Sequence, residues 1–260
     1  MMNYIPLHRR WSLLIKTIPF VILIFILKYM VFFFELELLQ FSSFFTAIIS
    51  ANIFLISFLI SGVLSDYKES EKIPSDIASS IISLADEGMI ILEEEQSPNA
   101  KKYLQHIQTI NKAYIDWFYQ KNTTLDVIHT LRELNHYFYI FQKTVPAPFI
   151  SRLKQEQHIL RKLINRVDTI RETSFLGTGY VIVETISFIL IITMLFVNFG
   201  SVYEGLFFST FVSLILIYMI LFIKDLDNPF GYAQDEILTE EVSLKPLHDN
   251  IELIKTYIKS

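Results

Sequence analysis

Between Phe41 and Leu64 the chain carries no Asp, Glu, Lys or Arg. A helix of that length rises far enough, at about 1.5 Å per residue, to cross a hydrocarbon layer about 30 Å thick. Three more blocks share the property: residues 18–36, where Lys28 is the only charge before Glu35; residues 179–198, where Glu184 is the only one; and residues 206–223, with none. In lipid every backbone N–H and C=O must find its partner inside the segment, so blocks of this kind fold as spanning helices. The rest of the composition agrees: 52% of residues are hydrophobic and 19% charged, where a soluble domain carries roughly a quarter charged residues. The acidic flank Glu35-Leu36-Glu37 does not resemble the small-residue cleavage site of a signal peptide, so the first block reads as a retained span.

Other chemistries fall away on the same counts. With no Cys there is no disulfide framework, thiolate zinc site or thiol nucleophile. A net charge of −5 gives no basic footprint for nucleic acid. No Gly-rich phosphate loop, zinc motif or Gly-x-Ser-x-Gly elbow is present, and no cofactor is implied. Glu133-Leu134-Asn135-His136 has the Glu-x-x-His spacing of di-iron bundles, with His129 one heptad earlier. Such a site needs a second copy of the motif and two further inward Glu residues. Neither is found, His106, His158 and His248 stand alone, and the chain reads as a non-enzyme.

Cationic loops tend to stay on the cytoplasmic side. Arg9, Arg10 and Lys16 precede the first span, whereas the links between spans one and two and between three and four hold only Glu35, Glu37 and Glu204. The reading is an integral protein of the cell membrane with both hairpin tips outside and both termini cytoplasmic. Trp11, Tyr203 and Tyr218 suit interfacial anchoring. The fold class expected is all-α: a membrane hairpin in residues 1–64, a cytoplasmic helical region in 65–178, a second hairpin in 179–224 and a cytoplasmic tail in 225–260.

The cytoplasmic region shows helical periodicity and no strand alternation. Span two continues inward through Asp66-Tyr67-Lys68-Glu69 until Pro74 kinks or restarts it. Ile77, Ile81, Leu84 and Ala85 form one apolar face, Leu104, Ile107, Ile110 and Tyr114 a second after Ser97-Pro98, and Ile128, Leu131, Leu134 and Phe138 a third after the cap Asn122-Thr123-Thr124. Beyond Pro146 and Pro148, Leu153, Leu160 and Val167 recur every seven residues beside Leu163 and Ile170. A helix from Phe149 to Ser174 is about 40 Å long. It packs on the other inner helices in the simpler reading and on a second chain in the coiled-coil reading.

Two stretches carry a family resemblance. After span four stands Asp225-Leu226-Asp227-Asn228-Pro229-Phe230-Gly231, and after span two stands Gly62-Val63-Leu64-Ser65-Asp66-Tyr67-Lys68-Glu69-Ser70-Glu71-Lys72-Ile73-Pro74. The first resembles the acidic-(Asn/Asp)-Pro-Phe-Gly turn that follows the last membrane helix of bestrophins, a family of pentameric anion channels. The second is similar to the corresponding stretch of small bestrophin-like membrane proteins without an established activity. The layout of two spans, inner helices, two spans and a tail is shared along the whole chain. The departure is at Ser65-Asp66-Tyr67-Lys68, where bestrophins carry an aromatic and arginine pattern. The resemblance implies a bestrophin-like fold, a homo-oligomer, pentameric by resemblance alone, seated in the lipid bilayer, and an anion such as chloride as the conducted species.

An anion path needs a helix face that tolerates water and carries no carboxylate. Ser43, Ser50 and Ser57 repeat at seven, with Ala47 and Ser61 close to the same face; these are the pore-lining candidates, and Phe45, Phe54 and Phe58 are expected opposite them. Small residues equally allow close helix packing, with hydroxyls bonded to their own helix. Lys28 joins the pore-lining candidates as an intramembrane cation, with snorkelling toward Glu35 and Glu37 as its alternative. A Lys28–Glu184 pair would need matching depth, which the topology disfavours, and Glu184 can snorkel from the inner end of span three. Asn228, Pro229, Phe230 and Gly231 are a structural turn, with Pro229 stopping the helix and Gly231 free to take positive φ. In calcium-gated bestrophins an acidic clasp occupies the following region; Asp235 and Glu236 are the candidates here, beside a solvated tail that also holds Glu240 and Glu241. The functional expectation is a bestrophin-like anion channel, and its competitor is a non-conducting membrane scaffold or sensor whose cytoplasmic helices bind a partner.

Overall fold

The structure, a computed structural model, describes residues 11–95, 98–172, 177–232 and 241–259. Arg9, Arg10, Ser97, Asp235, Glu236, Glu240 and Ser260 lie outside the described residues. The helices are α1 Ser12–Phe33, α2 Ser43–Ser70, α3 Ile73–Glu95, α4 Pro98–Phe118, α5 Thr124–Arg132, α6 Leu134–Phe141, α7 Ala147–Glu172, α8 Gly177–Phe196, α9 Val202–Leu226 and α10 Lys245–Lys259. Among the described residues four helical stretches are long and apolar enough to cross a membrane, and each overlaps one of the four expected blocks. The described residues divide into two compact units, one of residues 11–67 and 177–228, the other of residues 68–95, 98–172, 229–232 and 241–259.

In the first unit α1 packs along α9, and α8 packs on both. The first span starts and stops earlier than residues 18–36, because α1 ends in a left-handed turn. Glu35 takes φ 56°, its N–H donates to the Phe32 carbonyl at 3.0 Å, and the Leu36 N–H donates to the Val31 carbonyl at 2.9 Å. This Schellman pattern closes the last orphan carbonyls and turns the chain back on itself. It leads into the feature that apolar periodicity did not anticipate, a two-residue parallel pairing of β1 Leu39–Gln40 with β2 Val197–Asn198, Leu39 opposite Val197. Two residues are too few for an alternation pattern, so no signal for it exists in the sequence.

In the second unit α3 packs on α4, α7 and α10, and α4 carries α5, α6 and α10 on its other sides. The expected apolar faces are buried: Ile77, Ile81, Leu84 and Ala85 on α3, and Leu104, Ile107, Ile110 and Tyr114 on α4. Pro74 sits in the first turn of α3, where its missing N–H costs nothing. Thr123 is the N-cap of α5, its hydroxyl and backbone closing a capping box with Asp126. The third face differs from expectation in two ways: Val127 rather than Ile128 is buried, and the helix breaks at Glu133 before restarting as α6. On α7, Leu153, Leu160, Ile164 and Val167 are fully buried, and the helix packs against α3, α5 and α6 of its own chain. Its heptad pattern is thereby satisfied within one chain.

The α10 helix is held by amides instead of apolar area alone. Asn111 donates to the Leu247 carbonyl at 2.9 Å, and Asn250 donates to the Ala78 carbonyl at 2.9 Å. Arg171 caps the C-terminal end of α4, donating to the Phe118 carbonyl at 3.0 Å with its guanidinium 4.8 Å from the Trp117 ring. Phe230, buried, meets the Phe118 ring at 5.5 Å, and the Pro229 carbonyl accepts from the Val242 N–H at 3.2 Å. The aromatic of the Asn-Pro-Phe-Gly turn is thus an anchor. Gly231 does not use positive φ, which among the described glycines belongs to Gly200 at 94°.

Candidate functional site

The face of α2 decides what the membrane unit can do. Its inward side is Phe45, Asn52, Ile56, Leu59 and Val63, all buried. At 100° per residue these positions share one side of the helix, and they turn the opposite side outward. Ser43, Ala47, Ser50, Ser57 and Ser61 all lie on that exposed side. Phe54 and Phe58 lie there too, 71% and 62% exposed, so the expected arrangement of three phenylalanines opposite the serines holds only for Phe45 at 8%. The reason is helical geometry: Phe54 follows Ser50 by four residues and precedes Ser57 by three, and i, i+3 and i+4 positions are neighbours.

Two hydroxyls on this face are already committed. Ser50 Oγ donates to the Thr46 carbonyl at 2.9 Å, and Ser57 Oγ donates to the Ile53 carbonyl at 2.8 Å. Each hydroxyl has one hydrogen, so the outward surface offers oxygen lone pairs, methylenes and aromatic rings. Behind it, Asn52 Nδ2 donates to Ser187 Oγ of α8 at 2.8 Å, a polar contact between two side chains that are both about 1% exposed. Sequence reasoning passed over Asn52. An Asn on the covered face of an otherwise apolar span was the available signal.

Lys28 is turned inward. It is 1% exposed and donates three hydrogen bonds: to Glu37 Oε1 at 2.7 Å, to the Leu195 carbonyl at 3.1 Å and to the Val197 carbonyl at 2.6 Å. Three donors meet three acceptors. Its ammonium also stands 5.5 Å from the centre of the Phe199 ring, and its Cε passes 3.1 Å from where a Cβ of Gly205 would be. Of the two alternatives for Lys28, the structure has the turn toward Glu37, and the ammonium does not reach the exposed face of its helix. Glu184 pairs at 2.8 Å with Lys224, a residue the sequence reading had not used, so Lys28 and Glu184 have separate partners.

The members of the Glu-x-x-His motif have separate neighbours. Glu133 sits at the break between α5 and α6, with its carboxylate 3.7 Å from His106 Nδ1 and 3.4 Å from His129 Nδ1, while His136 packs on Tyr137. His106 therefore does not stand alone; its Nε2 lies 3.0 Å from the Thr130 carbonyl. Among the described residues no group of three or more His, Asp or Glu is arranged to hold a metal ion.

No protein-family model matches the sequence, and no curated protein matches it. Solved structures do. A membrane-protein variant superposes with TM-score 0.80 at 12% identity, over 94% of this chain and 99% of its own. A bestrophin homologue from Klebsiella pneumoniae superposes with TM-score 0.77 at 11% identity, over 95% and 99% of the two chains. A second structure of that homologue, carrying one substitution, gives TM-score 0.79 at 11% identity over 96% and 99%.

The fold is bestrophin-like.

The chain is an all-α integral membrane protein of that architecture, with four spanning helices. At this identity the bestrophin likeness speaks for the backbone and leaves the chemistry of the α2 face to its own side chains.

Proposed function

We propose that the chain is a bestrophin-like anion channel, a homo-oligomer in the lipid bilayer in which copies of α2 surround a central path. The observation that carries this reading is the uncharged outward face of α2, where small hydroxylated residues alternate with bulky rings and, among the described residues, stay exposed. Ser43, Ala47, Ser50, Ser57 and Ser61 give the path its small polar lining, and Phe54 and Phe58 give it narrow apolar rings that control wetting. Lys28 has no part in that lining. Conduction requires weak binding, and hydroxyls turned into their own helix hold an anion weakly. Five copies and chloride as the ion follow the bestrophin resemblance, and cytoplasmic termini follow the basic residues that precede the first span.

The committed hydroxyls also favour a second reading, a non-conducting scaffold or sensor in which the same face packs against another helix. Chloride efflux from liposomes separates the two. Because the chain contains no Cys, Ser57→Cys carries a unique thiol. Channel function is expected to give efflux that a charged thiol reagent blocks in Ser57→Cys and leaves intact in the parent. No efflux from folded, oligomeric protein selects the scaffold.

A further inference from the structure

The proposed path explains the exposed side of α2 and leaves Lys28 without a task. A lysine enclosed in an apolar membrane unit is retained only where its charge is fully matched. Here the match is distributed over four separate pieces of chain: Lys28 belongs to α1, Glu37 to the link between α1 and α2, Leu195 and Val197 to the end of α8 and β2, and Gly205 of α9 supplies the space. Val197 is also the residue opposite Leu39 in the parallel pairing, and α2 begins at Ser43, three residues after β1 ends. The ammonium thus holds the short link that delivers the chain to the first turn of α2 at Glu37, and the segment that link pairs with at Val197. Glu37 is brought within reach by the left-handed turn at Glu35.

We infer that Lys28 is a positioning residue for the pore helix. Through Glu37 and the Val197 carbonyl it fixes the rotation of the first turns of α2, and with it which side chains of those turns face outward. It touches no permeating ion. The inference rests on the proposed pore reading only for its effect on flux; the placement itself is open to direct measurement.

Two neighbouring positions at the start of α2 report that rotation: Phe44, 74% exposed, and Phe45, buried. Ser57, exposed, and Ile56, buried, report it further along. Single cysteines are placed at 44, 45, 56 and 57 in the otherwise thiol-free chain, and their rates of modification by a small charged thiol reagent are compared in oligomeric protein in liposomes. With Lys28 present, 44 is expected to react at least about tenfold faster than 45. In Lys28→Met the ratio between 44 and 45 is expected to fall toward one, while the ratio between 57 and 56 stays unchanged. Glu37→Gln keeps the side-chain length, removes the charge and leaves the two carbonyl acceptors, and it is expected to lower the first ratio partway. Unchanged 44-to-45 ratios in both variants overturn the inference. So does equal loss of both ratios, or failure of both variants to fold, since either makes Lys28 a support of the whole unit instead of the outer turns of α2. Failure of the channel reading is separate: it is the absence of block at Ser57→Cys, whatever happens at 44 and 45.

Discussion

Replacing Asn52 tests how the back of α2 is held. The contact is one hydrogen bond of 2.8 Å from Asn52 Nδ2 to Ser187 Oγ, and interhelical bonds of this kind in membranes average about 0.6 kcal/mol with a maximum near 1.7. Ser187 has an alternative, because a helical hydroxyl can bond to its own i−4 carbonyl, as Thr185 and Thr193 of the same helix do. Against the gain stands Asn52 Oδ1, buried without a hydrogen-bond partner among the described residues. Such an atom costs about 1–3 kcal/mol. The net value of the amide is therefore close to zero, and Asn52→Leu, similar in volume, is expected to change unfolding free energy by less than about 1 kcal/mol. Asn52→Ala removes packing as well as the bond and is expected to cost about 1–2 kcal/mol, at the low end for a truncation. The assay is reversible unfolding in mixed micelles for Asn52→Leu, Asn52→Ala, Ser187→Ala and the Asn52→Ala/Ser187→Ala double variant. The cycle is expected to return a coupling of about 0.6–1.7 kcal/mol. A loss above about 2 kcal/mol in Asn52→Leu would refute the reasoning, because the amide would then be held by partners stronger than this one bond.

In the second unit, Gly88→Ala puts a Cβ 2.6 Å from Tyr103 Cε1, and overpacking of this kind is expected to cost about 1–3 kcal/mol, read from the thermal transition. Tyr103→Phe deletes the 3.0 Å bond to the Leu84 carbonyl while easing little of that crowding, with an expected loss of about 1 kcal/mol in the same measurement. Arg171→Met uncovers the α4 end and the Trp117 ring, so tryptophan emission is expected to shift while α3 and α10 keep their protection in hydrogen exchange. Hydrogen bonds from the Thr123 hydroxyl and backbone hold the Asp126 carboxyl below its ordinary range. Since the folded value is depressed, the α5 cap is stable above the ordinary carboxylate range and is lost as pH falls through the folded value. Amide exchange at the start of α5 is expected to accelerate there, and Thr123→Ala, which keeps only the backbone bond to Asp126, to weaken that pH dependence.

The membrane blocks were legible because hydrocarbon leaves few alternatives for an uncharged segment, and the inner helices because periodic apolar faces had to be covered. What escaped was set by tertiary geometry. The serine positions of α2 announced an unusual face, but the place of Phe54 on that face required counting rotation in both directions from Ser50. Lys28 was visible as an intramembrane charge, whereas two of its acceptors are backbone carbonyls, which have no sequence signature. The break at Glu133 lies inside an unbroken helical pattern, and the carboxylate there faces His106 from a different helix. Phe230 could be read as part of a turn; its role as an anchor depends on Phe118, more than a hundred residues earlier.

The distances that join Lys28 to its acceptors are also intervals of time. Glu37 follows it by nine residues, but the Leu195 and Val197 carbonyls follow by 167 and 169. At a synthesis rate of about 5–20 residues per second, the first hairpin exists for about ten to thirty seconds before the second can reach it. During that interval Glu37 is the only one of the three acceptors yet made. An early hairpin with its charge already neutralised can wait in the membrane, and the parallel pairing of Leu39 with Val197 cannot form until the third span has been made.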